Sequence, residues 1–499
     1  MISKKEIIDY FEDLCNLAGK KLSREEYRKL NPTYTSSLIE KIWGNWTNFT
    51  NEVEDIILVT RNNITKKFNK KANKIIITYV NDGSAINLDF FDALKLYCKE
   101  NKAELGILWG KNVRKNQTFS KELFSLLQPY LATKFEFELD HTCIAQDFLI
   151  PVTQKNPLLN LDKLSTNLKT IIVGSSKQYL QILPYKQYTS YRVACSTGTL
   201  SETEYKETVA GQIDAKNHKF GAIFLEYREA EQRYVVRNLI FEKECICDLN
   251  KVYYKDKIEI RNSLPAVVLG DLHLPDEDQT AVDKTIAFIN KYKPEYAMLH
   301  DIASWNSVCH HNFGKYLTLA TNLVYSNSTL ENELDEVLIH LNELANSCKT
   351  TQFRIVNSNH DCFIEKWLET GEFIKDKLNA VKGAELFIEY TQGGNILQGK
   401  LPKNVQYLPK NESFTINGFE LSEHGDCGIS GAGGSPNAYT KTFENCIVGH
   451  THAGRITETT VYVGTLSKLI VNYNQKGMTT WSHTNAIIYE NGTSQLIFV

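Results

Sequence analysis

Five apolar segments in the C-terminal half of the chain are followed closely by His, Asp and Asn, residue types that commonly bind metal ions. The junctions are Ala266–Leu269 before Asp271 and His273, Tyr296–Leu299 before His300 and Asp301, Phe353–Val356 before Asn359, His360 and Asp361, Phe419–Leu421 before His424, and Cys446–Val448 before His450 and His452. Apolar strands separated by helical spacing predict an open α/β sheet. Residues at the carboxyl ends of such strands gather in one crevice. The pattern therefore predicts a single His, Asp and Asn site.

The order of these residues is similar to the calcineurin-like metallophosphoesterase superfamily: Asp-x-His, a lone Asp, Asn-His-Asp, His, then Gly-His-x-His. The resemblance covers residues 262–499. It implies a four-layer α/β sandwich with two divalent metal ions, and the mixed nitrogen and oxygen donors suit Mn²⁺, with Fe²⁺ or Zn²⁺ as alternatives. By the same resemblance Asp301 bridges the two ions. The other implied ligands are Asp271, His273 and His452 for one ion and Asn359, His424 and His450 for the other.

Two further residues have implied catalytic roles. His360 matches the histidine that protonates the leaving oxygen or stabilises the transition state without binding metal. Asp361 is expected to orient the His360 imidazole. The chain departs from the family pattern at His300 and Ser358, where glycine is usual. Neither position is a ligand in the family, so we expect local backbone differences there and an intact site.

Length and charge limit the remaining possibilities. A chain of 499 residues has room for about three domains. Its 56 Lys and Arg against 59 Asp and Glu give a net charge of -3, which excludes a uniformly basic nucleic-acid binder. Eleven scattered cysteines without a Cys-x-x-Cys pair argue against disulfide frameworks and zinc ribbons. No apolar run approaches the roughly 20 residues that span a bilayer. We expect a cytoplasmic protein without a membrane partner.

The N-terminal 60 residues predict a small helical module. Residues 22–30, followed by Ile42-Trp43-Gly44-Asn45-Trp46, resemble the helical repeats attached to homing endonucleases, which implies a grip on DNA. The alternative is a helical appendage whose tryptophans only form its core. Residues 61–73 predict a basic linker. Its candidate DNA-binding residues are Lys66, Lys67, Lys70 and Lys71, which attract phosphates if DNA binds; a solvated linker is the other interpretation of the same charges.

The middle of the chain, residues 74–255, predicts an α/β domain of unknown role. Ile75–Tyr79 and Leu105–Trp109 are strand-like runs around a helical period, and Thr170–Val173 predicts another strand.

Three functions compete. The first is a DNase of the Mre11/SbcD type that attacks the phosphodiester with a metal-bridging hydroxide. In layout the chain resembles the pre-early host-DNA-degradation proteins of large tailed phages, which implies DNA as partner, a homo-oligomer and the host bacterial cytoplasm. The second is a phosphatase or cyclic-nucleotide phosphodiesterase for small substrates. The third is a non-catalytic host-takeover binding protein. The helical repeat and the basic run favour the first function, and the complete set of implied ligands disfavours the third.

Overall fold

The chain forms a mixed α/β structure with several sheets, in agreement with the predicted class. The computed structural model describes residues 3–17, 22–53, 64–110, 119–151, 153–164, 167–186, 190–312, 314–326, 329–409, 412–471 and 474–499. Two compact units divide the chain. Unit 1 comprises Met1–Gln178, Ala194–Glu244 and Tyr253–Lys257, and unit 2 comprises Tyr179–Val193, Cys245–Val252 and Ile258–Val499.

Both units contain helices as well as strands. The helices are α1 Lys4–Leu17, α2 Arg24–Lys29, α3 Ser36–Trp43, α4 46–53, α5 Leu88–Asn101, α6 Lys121–Leu127, α7 Leu161–Leu164, α8 Val209–Lys216, α9 Gln279–Tyr292, α10 Tyr316–Ser326, α11 Leu330–Ser347, α12 Asp361–Glu369, α13 Glu372–Lys375, α14 Ala380–Thr391 and α15 Pro436–Thr442. The strands are β1 Thr65–Phe68, β2 Lys74–Asn81, β3 Glu104–Gly110, β4 Leu131–Ala132, β5 Lys134–Phe137, β6 Cys143–Gln146, β7 Thr170–Val173, β8 Leu180–Leu183, β9 Tyr185–Lys186, β10 Arg192–Ser196, β11 Gly221–Arg228, β12 Arg233–Glu242, β13 Cys245–Asp248, β14 Lys251–Tyr253, β15 Ile258–Ile260, β16 Ala266–Val268, β17 Tyr296–Leu299, β18 Gln352–Ile355, β19 Val405–Tyr407, β20 Thr415–Ile416, β21 Phe419–Glu420, β22 Cys446–Val448, β23 Arg455–Ile456, β24 Thr460–Tyr462, β25 Met478–Thr479, β26 Thr484–Ile488 and β27 Ser494–Phe498.

Helices α1 to α4 share a core of their own. Ser23 caps α2, its side chain accepting from the Glu26 amide while the Glu26 carboxylate accepts from the Ser23 amide. Trp43 is buried, and Trp46 packs against Phe11 with ring centroids 5.6 Å apart. Both tryptophans therefore belong to this core, a placement compatible with either interpretation of the repeat.

In unit 1, strands β4, β3, β2, β11 and β12 are neighbours in this order. The predicted strand–helix–strand is confirmed as β2, α5 and β3, with β2 and β3 parallel. The predicted linker is wrong for residues 65–68, which form β1 and pair in parallel with β5. The physical reason is Phe68, which is buried and stacks on Phe135 at 5.1 Å.

In unit 2, β19, β18, β17, β16, β26 and β27 form one sheet, and β8, β23, β24, β22, β21 and β20 are neighbours in another. Strands β16 to β19 run parallel. The unit also contains residues 179–193 and 245–252, which the sequence assigned to the middle domain. They join unit 2 because β8 pairs with β23 and because Asp248 accepts a hydrogen bond from Gln495.

Candidate metal centre

Three of the predicted ligands lie at the carboxyl edge of the parallel strands. Asp271 follows β16, Asp301 follows β17 closely, and Asn359 follows β18. The first two loops are tied together, because the amide of His273 donates to the carbonyl of Asp301 at 2.7 Å. Adjacent parallel strands thus bring Asp271, Asp301 about 30 positions later, and Asn359 about 60 positions after that to one edge of the sheet.

Four of the predicted ligands have an unusual backbone conformation. His273, Asp301, His450 and His452 have φ values of 51°, 40°, 69° and 56°. Side chains other than glycine rarely adopt this left-handed region, and such residues concentrate at functional sites.

One group of donors consists of Asp271, His273, Asp301 and His452. All four are buried, and their ligand atoms lie within 4.8 Å of one another. Nε2 of His452 lies 2.9 Å from Nε2 of His273 and 3.1 Å from Oδ2 of Asp271. These are the residues that the sequence assigned to the first metal ion, together with the bridging aspartate.

A second group consists of Asp301, His424 and His450, whose ligand atoms also lie within 4.8 Å of one another. Oδ1 of Asn359 lies 3.1 Å from Nε2 of His424 and 3.2 Å from Nδ1 of His450. Nε2 of His424 lies 3.1 Å from Oδ2 of Asp301. The structure therefore brings all seven predicted ligands together, with Asp301 shared by both groups.

The residues fit a metal ion. Oδ1 of Asp271, Oδ1 of Asp301 and Nδ1 of His452 are buried and have no hydrogen-bond partner among the described residues. A buried ionised oxygen without a partner is costly, and a cation removes that cost. Carboxylates and imidazoles in one cluster are the donors of transition metals and zinc.

The electrostatics of the cluster leave Asp301 ionised, His273 neutral and His424 protonated at neutral pH. Burial raises the pKa of Asp301, but the neighbouring His424 and His360 outweigh burial and hold it well below its usual range. Burial lowers the pKa of His273 to about 3, so that its imidazole is neutral and has a free lone pair. Burial also lowers the pKa of His424, but Asp301 and Asp271 outweigh it and raise it to about 9. A cation binding between these carboxylates would replace the His424 proton.

His300 belongs to the centre, although the sequence predicted only a local backbone difference there. It is fully buried, and its Nδ1 lies 3.3 Å from Nδ1 of His424. With Asp271 and His424 it forms a third group of close ligand atoms. The sequence could have identified His300 by its position directly after β17, at the same strand end as Asp301. When Nε2 of His424 faces the metal, its Nδ1–H can donate to His300, which fixes the ring.

We expect His300→Ala to lower Mn²⁺ affinity by about 10–100-fold, the usual cost of losing a partner that orients a metal ligand. Calorimetric titration of Mn²⁺ measures the change. The matched control is His141→Ala, an exposed histidine of unit 1 that should leave the affinity unchanged. Equal affinity in both variants would show that His424 needs no support from His300.

His360 lies beside the metal-binding groups and belongs to none of them. Its ring packs against His273 at 4.7 Å and against Phe363 at 4.5 Å. Its Nδ1 lies 3.1 Å from the carbonyl oxygen of Ser304. Because a carbonyl only accepts, Nδ1 carries the hydrogen in this contact, and Nε2 is the nitrogen whose protonation can change.

The prediction that Asp361 orients His360 is wrong. The Asp361 carboxylate accepts from the Ser358 amide at 3.1 Å and from the Tyr407 hydroxyl at 3.2 Å. Burial raises the pKa of Asp361 to about 6. Asp361 begins α12 and shapes the loop that carries Asn359, whereas the carbonyl of Ser304, 56 residues away, holds His360.

The four candidate DNA-binding lysines differ from one another. Nζ of Lys66 donates to the carbonyls of Gln128 and Pro129, at 3.1 and 2.7 Å, and burial lowers its pKa. Nζ of Lys67 lies 3.6 Å from a Glu136 oxygen. Lys70 and Lys71 are exposed in the turn before β2. Lys66 thus has a structural role, whereas Lys70 and Lys71 face solvent.

Comparison with known proteins gives one informative result. No protein-family model matches the chain, and no solved structure matches it significantly. The chain is similar to Protein A1 of Escherichia phage T5, with 27% identity over 463 residues, which cover 86% of this chain and 82% of the phage protein. Within the described ranges, no helix has the length and apolar character needed to cross a membrane. The likeness to a bacteriophage protein thus extends over most of the chain, and the buried His and Asp cluster can hold a metal ion.

Proposed function

We propose that this chain is a metal-dependent phosphodiester hydrolase of the calcineurin-like type, with the four-layer sandwich of that superfamily, and that its substrate is DNA. The observation that carries the proposal is the sharing of Asp301 between two groups of close donors, of which all but His450 are buried. Two divalent ions held there would polarise phosphoryl oxygens and lower the pKa of an attacking water. Mn²⁺ is the ion we propose, with Fe²⁺ and Zn²⁺ as alternatives.

The chain's own residues have distinct tasks in this proposal. Asp271, His273 and His452 would hold one ion, and Asn359, His424 and His450 would hold the other. Asp301 would contribute to both sites. His360 stands outside both groups, with Nδ1 directed to Ser304 and Nε2 able to carry a proton. A protonated Nε2 would donate to the oxygen that leaves when the phosphodiester breaks.

The choice of DNA rests on supporting features outside the centre. Lys70 and Lys71 are exposed beside each other, and helices α1 to α4 form a separate small core. The similarity to a phage protein fits the bacteriophage origin that this proposal requires. In this proposal the protein acts as a homo-oligomer in the cytoplasm of an infected bacterium.

One assay separates the competing functions. Purified protein is incubated with Mn²⁺ and plasmid DNA, linear duplex DNA, or bis(p-nitrophenyl) phosphate. A DNase cleaves DNA as well as the chromogenic diester, whereas a small-substrate phosphodiesterase cleaves only the diester. Absence of hydrolysis in a metal-loaded protein would favour the non-catalytic binding protein and reject the proposal.

We expect Lys70→Glu/Lys71→Glu to raise the KM for long DNA and to lower the slope of log K against log salt by about 2, because two phosphate contacts are lost. Turnover of the small diester should not change, because hydrolysis of that substrate requires no additional phosphate contacts. Steady-state rates at several salt concentrations measure both effects.

Two companion variants complete this test. Lys206→Glu/Lys216→Glu makes the same charge change at exposed positions of unit 1 and should leave the slope unchanged. Deletion of residues 1–53 removes the helical module and leaves β1 (Thr65–Phe68) intact. An unchanged KM and salt slope in the deletion variant and in Lys70→Glu/Lys71→Glu would reject a DNA-gripping role for unit 1.

A further inference from the structure

The loop directly after Asp301 holds the ring of His360. The carbonyl oxygen of Ser304 lies 3.1 Å from Nδ1 of His360. The next residue, Trp305, has a φ of 46° and is 1% exposed. The plane of the peptide that contains the Ser304 carbonyl depends on this angle, and a residue other than glycine keeps it only where the surroundings hold it. The direction of the carbonyl therefore depends on what holds the turn at Trp305.

Asp276 holds both neighbours of Trp305. Its Oδ2 accepts hydrogen bonds from Oγ of Ser304 and from Nδ2 of Asn306, each at 3.2 Å. The Ser304 hydroxyl also lies 3.2 Å from the carbonyl oxygen of His273. Its single hydrogen serves the carboxylate better, because hydrogen bonds to charged acceptors are stronger. One carboxylate oxygen thus closes the turn on both sides of the left-handed residue.

The backbone fixes where the Asp276 carboxylate lies. The Asp276 amide donates to the carbonyl of His273 at 2.7 Å, and the Asp276 carbonyl accepts from the Lys468 amide at 2.9 Å. The Ser304 amide donates to the carbonyl of Leu274 at 3.0 Å, so that the two loops are also joined through their main chains. A side chain held in this way can keep its partners within about 0.5 Å, the tolerance of a catalytic arrangement.

Glu333 on α11 anchors the far end of the same loop. It is 2% exposed and accepts from the Ser307 amide at 3.0 Å and from the Ser307 hydroxyl at 2.8 Å. These contacts begin beyond Asn306. Removal of the Asp276 carboxylate therefore frees the turn at Trp305 while Glu333 continues to hold the loop, which separates positioning from folding.

Asp276 differs from the residues of the metal centre. It belongs to none of the three groups of close ligand atoms found in the described part of the chain. Asp361, the carboxylate next to His360 in the sequence, has other partners. Asp276 thus supplies the carboxylate support that Asp361 does not, and it acts at one remove, through the backbone of Ser304.

We propose that Asp276 is a positioning residue for His360 and that it acts by aiming the Ser304 carbonyl at Nδ1 of the imidazole. This inference rests on the proposed function, in which Nε2 of His360 donates a proton to the leaving oxygen. The carboxylate fixes the turn at Trp305, the carbonyl fixes the ring, and the ring then presents Nε2 in the orientation for donation. A displacement of about 1 Å in such a group costs about 10²-fold in rate.

Two diesters with different leaving groups test this role. Thymidylyl-thymidine releases an alkoxide, which needs a proton, whereas bis(p-nitrophenyl) phosphate releases a stable phenolate. With Mn²⁺, Asp276→Ala should lower kcat for thymidylyl-thymidine about 10²-fold and leave the metal content unchanged. Its kcat for bis(p-nitrophenyl) phosphate should change less than about threefold, because that leaving group needs little acid catalysis.

Two variants accompany Asp276→Ala. Asp276→Asn keeps an oxygen that accepts from both partners and should restore most of the lost turnover. The matched control, Asp335→Ala, removes an exposed carboxylate on α11 and should behave as wild type.

A double variant shows whether Asp276 acts through His360. Asp276→Ala/His360→Asn should be no slower on thymidylyl-thymidine than His360→Asn alone, because the positioning residue then has no acid to position. Nuclear magnetic resonance of metal-free protein with isotopically labelled histidine gives a reading without turnover. The Nδ1–H signal of His360, assigned by its disappearance in His360→Asn, should shift or broaden in Asp276→Ala, since its acceptor moves.

The outcomes separate this inference from the proposed function. A metal-loaded wild type that hydrolyses neither diester would reject the proposed function, and the inference with it. If the wild type hydrolyses both, three results reject the positioning role alone: an equal loss on both diesters, a further loss in the double variant, or an unchanged His360 signal in Asp276→Ala.

A milder variant covers the case in which Asp276→Ala does not fold. Asn306→Ala removes one of the two hydrogen bonds to the carboxylate and should lower thymidylyl-thymidine turnover about 5–10-fold. Hydrolysis of bis(p-nitrophenyl) phosphate should stay at the wild-type rate. Equal effects on the two diesters would again reject the positioning role.

Discussion

Replacing Asp301 by alanine should lower phosphodiester hydrolysis by at least about 10³-fold. A metal ion stabilises the transition state by several kcal/mol, and each loss of about 1.4 kcal/mol lowers the rate tenfold. Asp301 is 2% exposed and is the only residue common to the two groups that were assigned to separate metal ions. Without its carboxylate, the two cations of the proposed function would lose their common anion. Metal content by mass spectrometry and hydrolysis of bis(p-nitrophenyl) phosphate measure the two consequences.

Two variants sharpen this test. Asp301→Asn keeps the shape of the side chain and removes only its charge, so it should also lose metal. Asp283→Ala changes an exposed aspartate on α9 and should behave as wild type. Near-wild-type activity of Asp301→Ala with two metal ions bound would show that the two groups do not share a bridging carboxylate.

Replacing His360 by asparagine should leave the metal content unchanged and lower DNA hydrolysis by about 10²–10⁴-fold, the range for a lost acid–base group. The reason is position: His360 contacts His273 but takes part in none of the three groups of ligand atoms. The loss should be much smaller for bis(p-nitrophenyl) phosphate, whose leaving group needs little help from a proton. The ratio of the two rates therefore reports on proton donation.

A control for this variant is His340→Asn, since His340 on α11 lies 3.5 Å from Glu277 and is not among the grouped donors. It should retain both activities. If His360→Asn lost metal, His360 would be a ligand. If it lowered the hydrolysis of both substrates equally, His360 would act on the transition state and not as the acid.

Much of the centre was predictable because its signals are local. An apolar strand followed at once by His, Asp or Asn is visible in the sequence, and parallel strands bring such ends to one edge. This is why Asp271, Asp301 and Asn359 lie together at one sheet edge. His424, His450 and His452 follow β21 and β22 of another sheet and meet the first three only in the tertiary structure. The helical module was visible for the same reason, since the pattern in residues 22–30 involves neighbours in the chain.

The errors concern pairs that are distant in the chain. His360 binds the carbonyl of Ser304 and not its neighbour Asp361, because the start of α12 directs that carboxylate to Ser358 and Tyr407. The supposed linker is fixed by Phe68 stacking on Phe135, 67 positions away. No local periodicity contains either pairing.

The sequence by itself determined the class of fold, the strand ends and the identity of the clustered donors, since each depends on the order of apolar and polar residues within a few positions. The tertiary structure alone decided that His300 supports His424, that Lys66 is held by backbone carbonyls, and that residues 179–193 and 245–252 join unit 2. The physical reason is that these contacts join residues brought together only when the sheets assemble, and burial then fixes which donor meets which acceptor.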